Sequence, residues 1–402
     1  MASVNDNQQA GLRRAFENFS TYRSTPDKAL DLFAQARTGC PVPHSQELGG
    51  FHLLLTYEDV RAALMDWRTF GNGPHALRPI AEGVPRLPPI DFDPPEHTAW
   101  RNIFNAGINA KTADRIAPLV LADVANCIDR FVGKGECDLV ADLAERVPML
   151  ALFHVLGLDE GSHEHVRRLT LALLASAADR PRFSQIFAQF AKFGKAEVEK
   201  RRIAPRDDYL TTLAEARIDG RLLDEEEIGA VTNSVLLAGH GTTVISMTNL
   251  FYEVLSRPRI KQALLADPGL IPAAVEETLR LHTPFFGLYR RVNADTMVNG
   301  TELREGESVY LCWQSANRDS TVFEDADDFR LDRDHSRHLT FGRGRHSCTG
   351  AATARMELCV ALEQLLLRVP DVELIAPETV KAEFRGAETA AIGSLPARFK
   401  AQ

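Results

Sequence analysis

The feature that most constrains this 402-residue chain is an apolar segment too long and too uniform to lie on a surface. Helix signals bracket it: Asp224 can cap a helix, Glu225, Glu226 and Glu227 place negative charge in its first turn, and Pro258 stops it. Between them, Val231 to Leu250 is apolar around most of the helical circumference. Such a rod must run through an interior, with other elements packed around it.

The remaining pattern supplies those elements. Apolar residues recur at three and four from His97 to about Arg201, with breaks at Gly133 to Glu136 and Gly157 to Gly161, which predicts several stacked helices. The run Phe51 to Leu55 followed by Tyr57 to Leu64 reads as a strand and then a helix. Leu288 to Leu311 alternates and turns at Asn299-Gly300 and Glu305-Gly306, which is hairpin chemistry. Ala351 to Arg368 is helical again, and Val372 to Phe399 reads as short strands. Gly71 to Pro95 holds seven prolines and predicts a shaped loop of the kind that lines binding sites. The expected fold class is mainly α with minor β. No Gly/Ser-rich or Pro-rich linker and no repeat divides the chain, so residues 1–402 are expected to form a single domain.

A hydrophobic content of 45% suits a large core, and a net charge of -9 argues against nucleic acid as a partner. Met1 to Ser20 has no apolar run of leader length, and nowhere do about 18 apolar residues run consecutively, so no membrane is expected and the location should be cytoplasmic. The cysteines Cys40, Cys127, Cys137, Cys312, Cys348 and Cys359 form no Cys-x-x-Cys pair, as suits reduced thiols.

Four constellations carry chemistry. Cys348 lies in Phe341-Gly342-Arg343-Gly344-Arg345-His346-Ser347-Cys348-Thr349-Gly350, where a Gly-rich turn before a helix can supply the donors a thiolate needs. The glycines would let this backbone approach a flat cofactor, although a cysteine beside a glycine turn is also compatible with plain burial. Glu277 and Arg280 lie three apart on one helix face and taken alone could be a solvated ion pair. In Asp93-Pro94-Pro95-Glu96-His97-Thr98-Ala99-Trp100-Arg101, a Pro-initiated helix puts His97 and Arg101 on one face, as suits a carboxylate anchor. Ala238-Gly239-His240-Gly241-Thr242-Thr243 puts two glycines inside the long helix. Each costs about 1 kcal/mol there, so packing or function must require them.

The 341–350 pattern, Phe-Gly-x-Gly-x-His-x-Cys-x-Gly, resembles the haem loop of the cytochrome P-450 family, and Ala354 to Leu358 is similar to the start of the helix behind the haem. The resemblance implies a soluble bacterial-type haem-thiolate monooxygenase, with haem b (iron protoporphyrin IX) and Cys348 as its proximal iron ligand. It further implies Phe341, Gly342 and Gly350 around the sulfur. His97 and Arg101 would hold one haem propionate, Arg290 the other with Arg291 as fallback, and His346 would pair with a propionate as well. Glu277, Arg280 and Arg333 would brace the loop. The small residues of Ala238-Gly239-His240-Gly241-Thr242-Thr243 would open the oxygen groove, with the Thr242 hydroxyl donating a hydrogen bond to the oxygen. Gly241 departs from the pattern, because an acidic residue usually stands there to relay protons; His240, ordered water or an acid from another segment would have to substitute.

By position, Leu87, Ile90, Leu237, Phe285, Phe286, Leu288 and Leu395 would line the substrate pocket, implying a small apolar and possibly aromatic substrate, though each is also compatible with core packing. Electrons would come from a ferredoxin and its NAD(P)H-dependent reductase, steered by Arg101, Lys111, Arg115, Arg337, Arg343 and Arg345, and O2 would be the co-substrate. The alternatives are a peroxide-using or coupling/rearranging haem-thiolate enzyme, or a non-catalytic gas sensor.

Overall fold

A computed structural model describes residues 6–20, 24–73, 76, 86–175, 180–384 and 389–402. Much of the Pro-rich loop expected before His97 therefore lies outside the described residues. The helices, in chain order, are α1 (Asp6–Glu17), α2 (Pro26–Gly39), α3 (Tyr57–Met65), α4 (Glu96–Gly107), α5 (Ala110–Asp129), α6 (Val147–Leu156), α7 (Glu160–Ala175), α8 (Arg180–Ile203), α9 (Tyr209–Glu215), α10 (Glu225–Leu255), α11 (Pro258–Ala266), α12 (Ile271–Leu281), α13 (Trp313–Ala316) and α14 (Ala351–Arg368). The long rod read from the sequence is α10.

Its first turn closes as a capping box. The Glu227 backbone N–H donates to the Asp224 side chain and the Asp224 N–H donates to the Glu227 carboxylate, each at 2.9 Å. Pro258 begins the next helix, so the chain turns where the sequence said it must. α10 packs against α6, α8, α12 and α14, and residues such as Met247, Leu250 and Phe251 are fully buried in the largest apolar cluster with Leu362 and Leu365 of α14. Among the described residues it is the one helix long and apolar enough to cross a membrane, and most of that stretch is buried inside the fold.

Beside the helices stands a five-stranded sheet in the order β1 (His44–Ser45), β2 (Phe51–Leu54), β10 (Ser308–Leu311), β7 (Leu288–Val292) and β3 (Phe70–Gly71). The remaining strands are β4 (Glu136–Asp138), β5 (Arg217–Ile218), β6 (Arg221–Leu222), β8 (Thr296–Val298), β9 (Thr301–Leu303), β11 (Glu373–Leu374), β12 (Ala382–Phe384), β13 (Ala390–Ile392) and β14 (Pro396–Arg398). Asn299 and Gly300 take positive φ and close the β8–β9 hairpin as expected.

The turn at Glu305-Gly306 behaves differently. It makes no second hairpin: β10 leaves β9 and pairs in parallel with β2 and antiparallel with β7. Val309, Tyr310 and Leu311 are buried there, and burial in the central sheet outweighs pairing with the nearest neighbour in sequence. Likewise β4, in the break between α5 and α6, joins β14 and β11 from the C-terminal end of the chain. Nothing local announces a partner some 260 residues away.

Candidate haem-thiolate site

The cysteine loop is folded onto itself. The Cys348 N–H donates to the Phe341 carbonyl at 2.8 Å, and Gly342 and Gly344 take φ of 66° and 68°, which a side-chain-bearing residue rarely adopts. Gly350 then caps α14. The Cys348 side chain is exposed, while protein atoms on its other sides desolvate the sulfur. Its desolvated surroundings push the thiol up, opposed by N–H groups of Gly350 and Ala351 and by the positive charges of Arg101 and Arg355. Donors and positive charge around this sulfur favour the thiolate form that an iron ligand needs.

Around the loop, basic side chains outnumber the carboxylates that act on them, Asp93 and Asp91. His97 is buried and neither of its ring nitrogens has a hydrogen-bond partner. The His346 ring lies 4.2 Å from it, with Nε2 unpartnered. Burial, aided by His346, Arg101 and Arg345, pushes His97 down to about 4. Arg290 is buried and pushed down to about 10 by desolvation, while Asp93 and Asp91 oppose the shift; one of its N–H groups donates to the Tyr289 carbonyl at 2.8 Å. Arg101 reaches Ser347 Oγ at 3.5 Å. Asp93, 3.9 Å from His346, is the nearby carboxylate. Buried cations and orphaned imidazoles of this kind are costly unless carboxylates from elsewhere meet them. The alternation of β7 decides between the two arginines, since Arg290 is buried and Arg291 exposed.

Opposite chemistry lies on α10. Ala238 is exposed within an otherwise buried helix, Gly241 and Thr242 are half-buried, and a Cβ built on Gly241 would meet nothing within 4 Å. Positions 238, 241 and 242 share one face, so they form an open groove. Gly239 faces the other way. A Cβ there would come within 2.6 Å of Leu152 Cδ2 on α6, so this glycine serves helix packing. The Thr242 hydroxyl donates to the Ala238 carbonyl at 2.7 Å, which commits its proton and leaves its oxygen able to accept.

His240 corrects one expectation. Offered as a substitute proton relay, it instead turns toward the segment before α6, with Nε2 3.3 Å from the Glu145 carbonyl and burial holding its basicity down. The rotation of about 100° per residue takes it off the face that Gly241 and Thr242 share. The pocket residues divide in the same way. Leu237, Ile90 and Phe285 keep partial exposure, whereas Leu87, Leu288, Phe286 and Leu395 are buried. Phe286 packs edge-on against Phe384 at 4.8 Å, and Leu395 belongs to the main apolar cluster with its backbone tied to Asp138. Phe286 and Leu395 are core residues here, so the adjacent Phe285-Phe286 is no measure of an aromatic ligand.

Comparison with known proteins settles the family. A family model described as Cytochrome P450 matches residues 173–381. A steroid C26-monooxygenase of Mycolicibacterium smegmatis is 34% identical over 340 residues, 83% of this chain and 84% of that protein. The chain belongs to the cytochrome P450 family. A mycinamicin IV hydroxylase/epoxidase of Micromonospora griseorubida is also 34% identical, covering 81% of this chain and 84% of its own. Among solved structures, a cytochrome P450 of Novosphingobium aromaticivorans superposes with a TM-score of 0.86 at 25% identity, over 100% of each chain. The protein is thus a P450 monooxygenase, an oxidoreductase that binds haem b through a cysteine thiolate. Cys348, the partnerless ring nitrogens of His97 and the neighbouring Arg101 and Arg290 fit that group.

Two ion networks hold the P450 loop from behind. Glu277 is fully buried and takes Arg280 in a two-point contact at 2.8 Å each, with Arg333 at 3.1 Å and His335 at 3.4 Å. Arg280 also donates to the carbonyls of Asn317, Ala326 and Asp328. These contacts hold the Glu277 carboxyl far below the ordinary carboxylate range against the opposing effect of burial. The second network was not legible in the sequence: Glu276 takes Arg355 at 2.6 and 2.8 Å and His338 at 2.9 Å. The Arg355 guanidinium lies 4.4 Å over the Phe341 ring, so α12, α14 and the cysteine loop are clamped together. Glu276 beside Glu277, together with an arginine on α14, was the available signal.

Proposed function

We propose that residues 1–402 form one haem domain that inserts one atom of O2 into an apolar organic substrate, using electrons from a separate ferredoxin and its NAD(P)H-dependent reductase. The observation that carries this reading is the conjunction of an exposed Cys348 with His97, Arg101, Arg290 and His346, for which Asp93 and Asp91 are the nearby carboxylates and among which both His97 ring nitrogens have no hydrogen-bond partner. The bound haem supplies oxygen activation, which thiolate ligation favours by pushing electron density toward the oxygen. His97, Arg101, Arg290 and His346 would take its propionates, and Phe341 with Arg355 would shield the sulfur from water. Ala238 and Gly241 leave room for oxygen and substrate, and Thr242 Oγ, which donates its proton to the Ala238 carbonyl, could accept a hydrogen bond in that groove. Leu237, Ile90 and Phe285 offer an apolar wall. The name of the steroid C26-monooxygenase relative supports an apolar substrate. The burial of α10 inside the fold supports a soluble enzyme.

The test is spectroscopic. Reduced protein with CO should give the red-shifted Soret band of thiolate ligation, and Cys348→His should replace it with the band of a neutral axial ligand. A wild-type spectrum without the thiolate band would end the reading. Gly241 favours one second reading, because α10 presents no carboxylate at positions 238, 241 and 242 and peroxide arrives with its protons. Turnover with peroxide at a rate matching or exceeding that with ferredoxin, NAD(P)H and O2 would select it.

A further inference from the structure

A hydroxyl inside a helix can return to the carbonyl four residues back, and α10 follows that habit with one exception. Thr232, Thr242, Thr243, Ser246 and Thr248 each donate to the carbonyl four positions earlier, at 2.7 to 3.3 Å. Ser234 does not: it is 7% exposed, and its Oγ has no hydrogen-bond partner. A buried hydroxyl left alone is destabilising, and alanine at this position would remove that cost and favour the helix, so the serine needs another reason. Its direction supplies one. At 100° per residue, Ser234 falls between Ala238 and Gly241 around the helix, about 40° from the first and about 20° from the second. It stands on the groove face, one turn nearer the start of α10 than Ala238. The residues that meet α8 lie on the other side: a Cβ on Gly229 would strike Ala191, one on Gly194 would strike Thr232, and Asn233 Nδ2 donates to the Phe187 carbonyl at 3.2 Å. Along the groove face, Ala238 is exposed and Ser234 is buried, so the groove closes toward the serine. Leu237, Ala238 and Gly241 bring no polar side chain, and the Thr242 proton is already committed. Ser234 is the one uncommitted hydroxyl on this face between positions 234 and 242.

We propose that the Ser234 hydroxyl determines specificity at the closed end of the groove by pairing with a single oxygen of the substrate, a hydroxyl or a carbonyl. The inference rests on the reading that this groove holds the substrate of a haem-thiolate oxygenase, and it narrows the substrate class from apolar to apolar with one hydrogen-bonding oxygen. Seven residues separate Ser234 from Gly241, which at 1.5 Å each places them roughly 10 Å apart along the helix axis. A substrate anchored at Ser234 therefore presents at Gly241 and Thr242 a carbon about 10 Å from its own oxygen. A rigid polycyclic alcohol or an extended chain of medium length meets that requirement. The serine donates to a carbonyl or accepts from a hydroxyl, since its proton rotates to suit the partner. A hydrocarbon in the same place leaves the hydroxyl unpaired, which is the source of the discrimination.

The experiment titrates haem-loaded enzyme and reads binding from the spin-state shift of the ferric Soret band. The probes are three alcohols and the hydrocarbons that lack their oxygen: androstan-3-ol with androstane, cyclohexylcyclohexanol with bicyclohexyl, and decan-1-ol with decane. In at least one pair, Ser234→Ala is expected to weaken the alcohol by roughly tenfold and to leave the hydrocarbon within about twofold of its wild-type affinity. The variant should unfold in urea no earlier than wild type, which shows that the loss is one of recognition and not of folding. Alcohol and hydrocarbon weakened equally in every pair, alcohols unaffected by the substitution, or no shift with any alcohol in wild type would overturn the anchor while leaving the haem-thiolate reading in place. Wild-type protein that lacks the thiolate band when reduced under CO would sink that reading and the anchor with it.

Discussion

Two glycines in α10, separated by one residue, should respond oppositely to one added methyl group. At Gly239 the new Cβ would sit 2.6 Å from Leu152 Cδ2 and 3.3 Å from Cγ, so Leu152 must retreat by ~0.8 Å to reach ordinary contact. Leu152 is buried in the main apolar cluster, and overpacking of this kind costs about 1–3 kcal/mol. Alanine's better helix propensity returns about 1 kcal/mol, leaving Gly239→Ala anywhere from neutral to roughly 2 kcal/mol less stable. At Gly241 nothing lies within 4 Å, so propensity acts alone and Gly241→Ala should gain about 1 kcal/mol. The variants should therefore differ by roughly 1–3 kcal/mol. Urea unfolding followed by far-ultraviolet circular dichroism and by the Soret band, at equal haem content and with unchanged slope, measures that difference. Equal shifts, or a Gly239→Ala protein more stable than Gly241→Ala, would refute the assignment of one glycine to packing and the other to an open groove.

Other expectations concern charge. Replacing Arg280 by Met removes the two-point contact to buried Glu277, which keeps Arg333 and His335, and leaves the Asn317 and Ala326 carbonyls without this donor, a loss of about 3–5 kcal/mol that should sharply lower recovery of haem-loaded protein. Arg280→Lys should not rescue it, since one ammonium cannot make the two-point contact. Glu276 is lowered to about 2, so its stabilisation is fully present above the ordinary carboxylate range and fades as pH falls toward 2. The stability gap between wild type and Glu276→Gln should accordingly narrow between pH 6 and pH 3, and a gap independent of pH would contradict the network. His97→Ala should speed haem transfer to apomyoglobin by roughly 10- to 100-fold, the equivalent of one charge-assisted hydrogen bond. Gly241→Glu should raise the fraction of NAD(P)H consumption that ends in product, because a carboxylate then enters a groove where α10 presents none at positions 238, 241 and 242; unchanged peroxide leakage would count against that proton deficit.

Legibility followed the range of the interactions. The cap at Asp224, the stop at Pro258, the Asn299-Gly300 hairpin and the cysteine loop are set by residues within a few positions of one another, so local pattern was enough. Arg290 rather than Arg291 as the buried cation followed once strand alternation was fixed. The direction of His240 was open in sequence because adjacent helical residues point about 100° apart and only packing tells which face meets the groove. Phe286 and Leu395 were misassigned to the pocket because an apolar side chain is equally at home in a core, and their burial is a property of what surrounds them.

By itself, the sequence determined the mainly helical class, the central rod, the cysteine loop and the basic residues near it in the motifs. Each of these depends on residue type and near spacing. The tertiary structure alone decided that β10 abandons β9, that β4 joins the C-terminal strands, that Glu276 clamps α14 to the loop, and that Gly239 and Gly241 do different work. Those outcomes turn on contacts between residues far apart in the chain, where the burial gained by the whole outweighs any local preference.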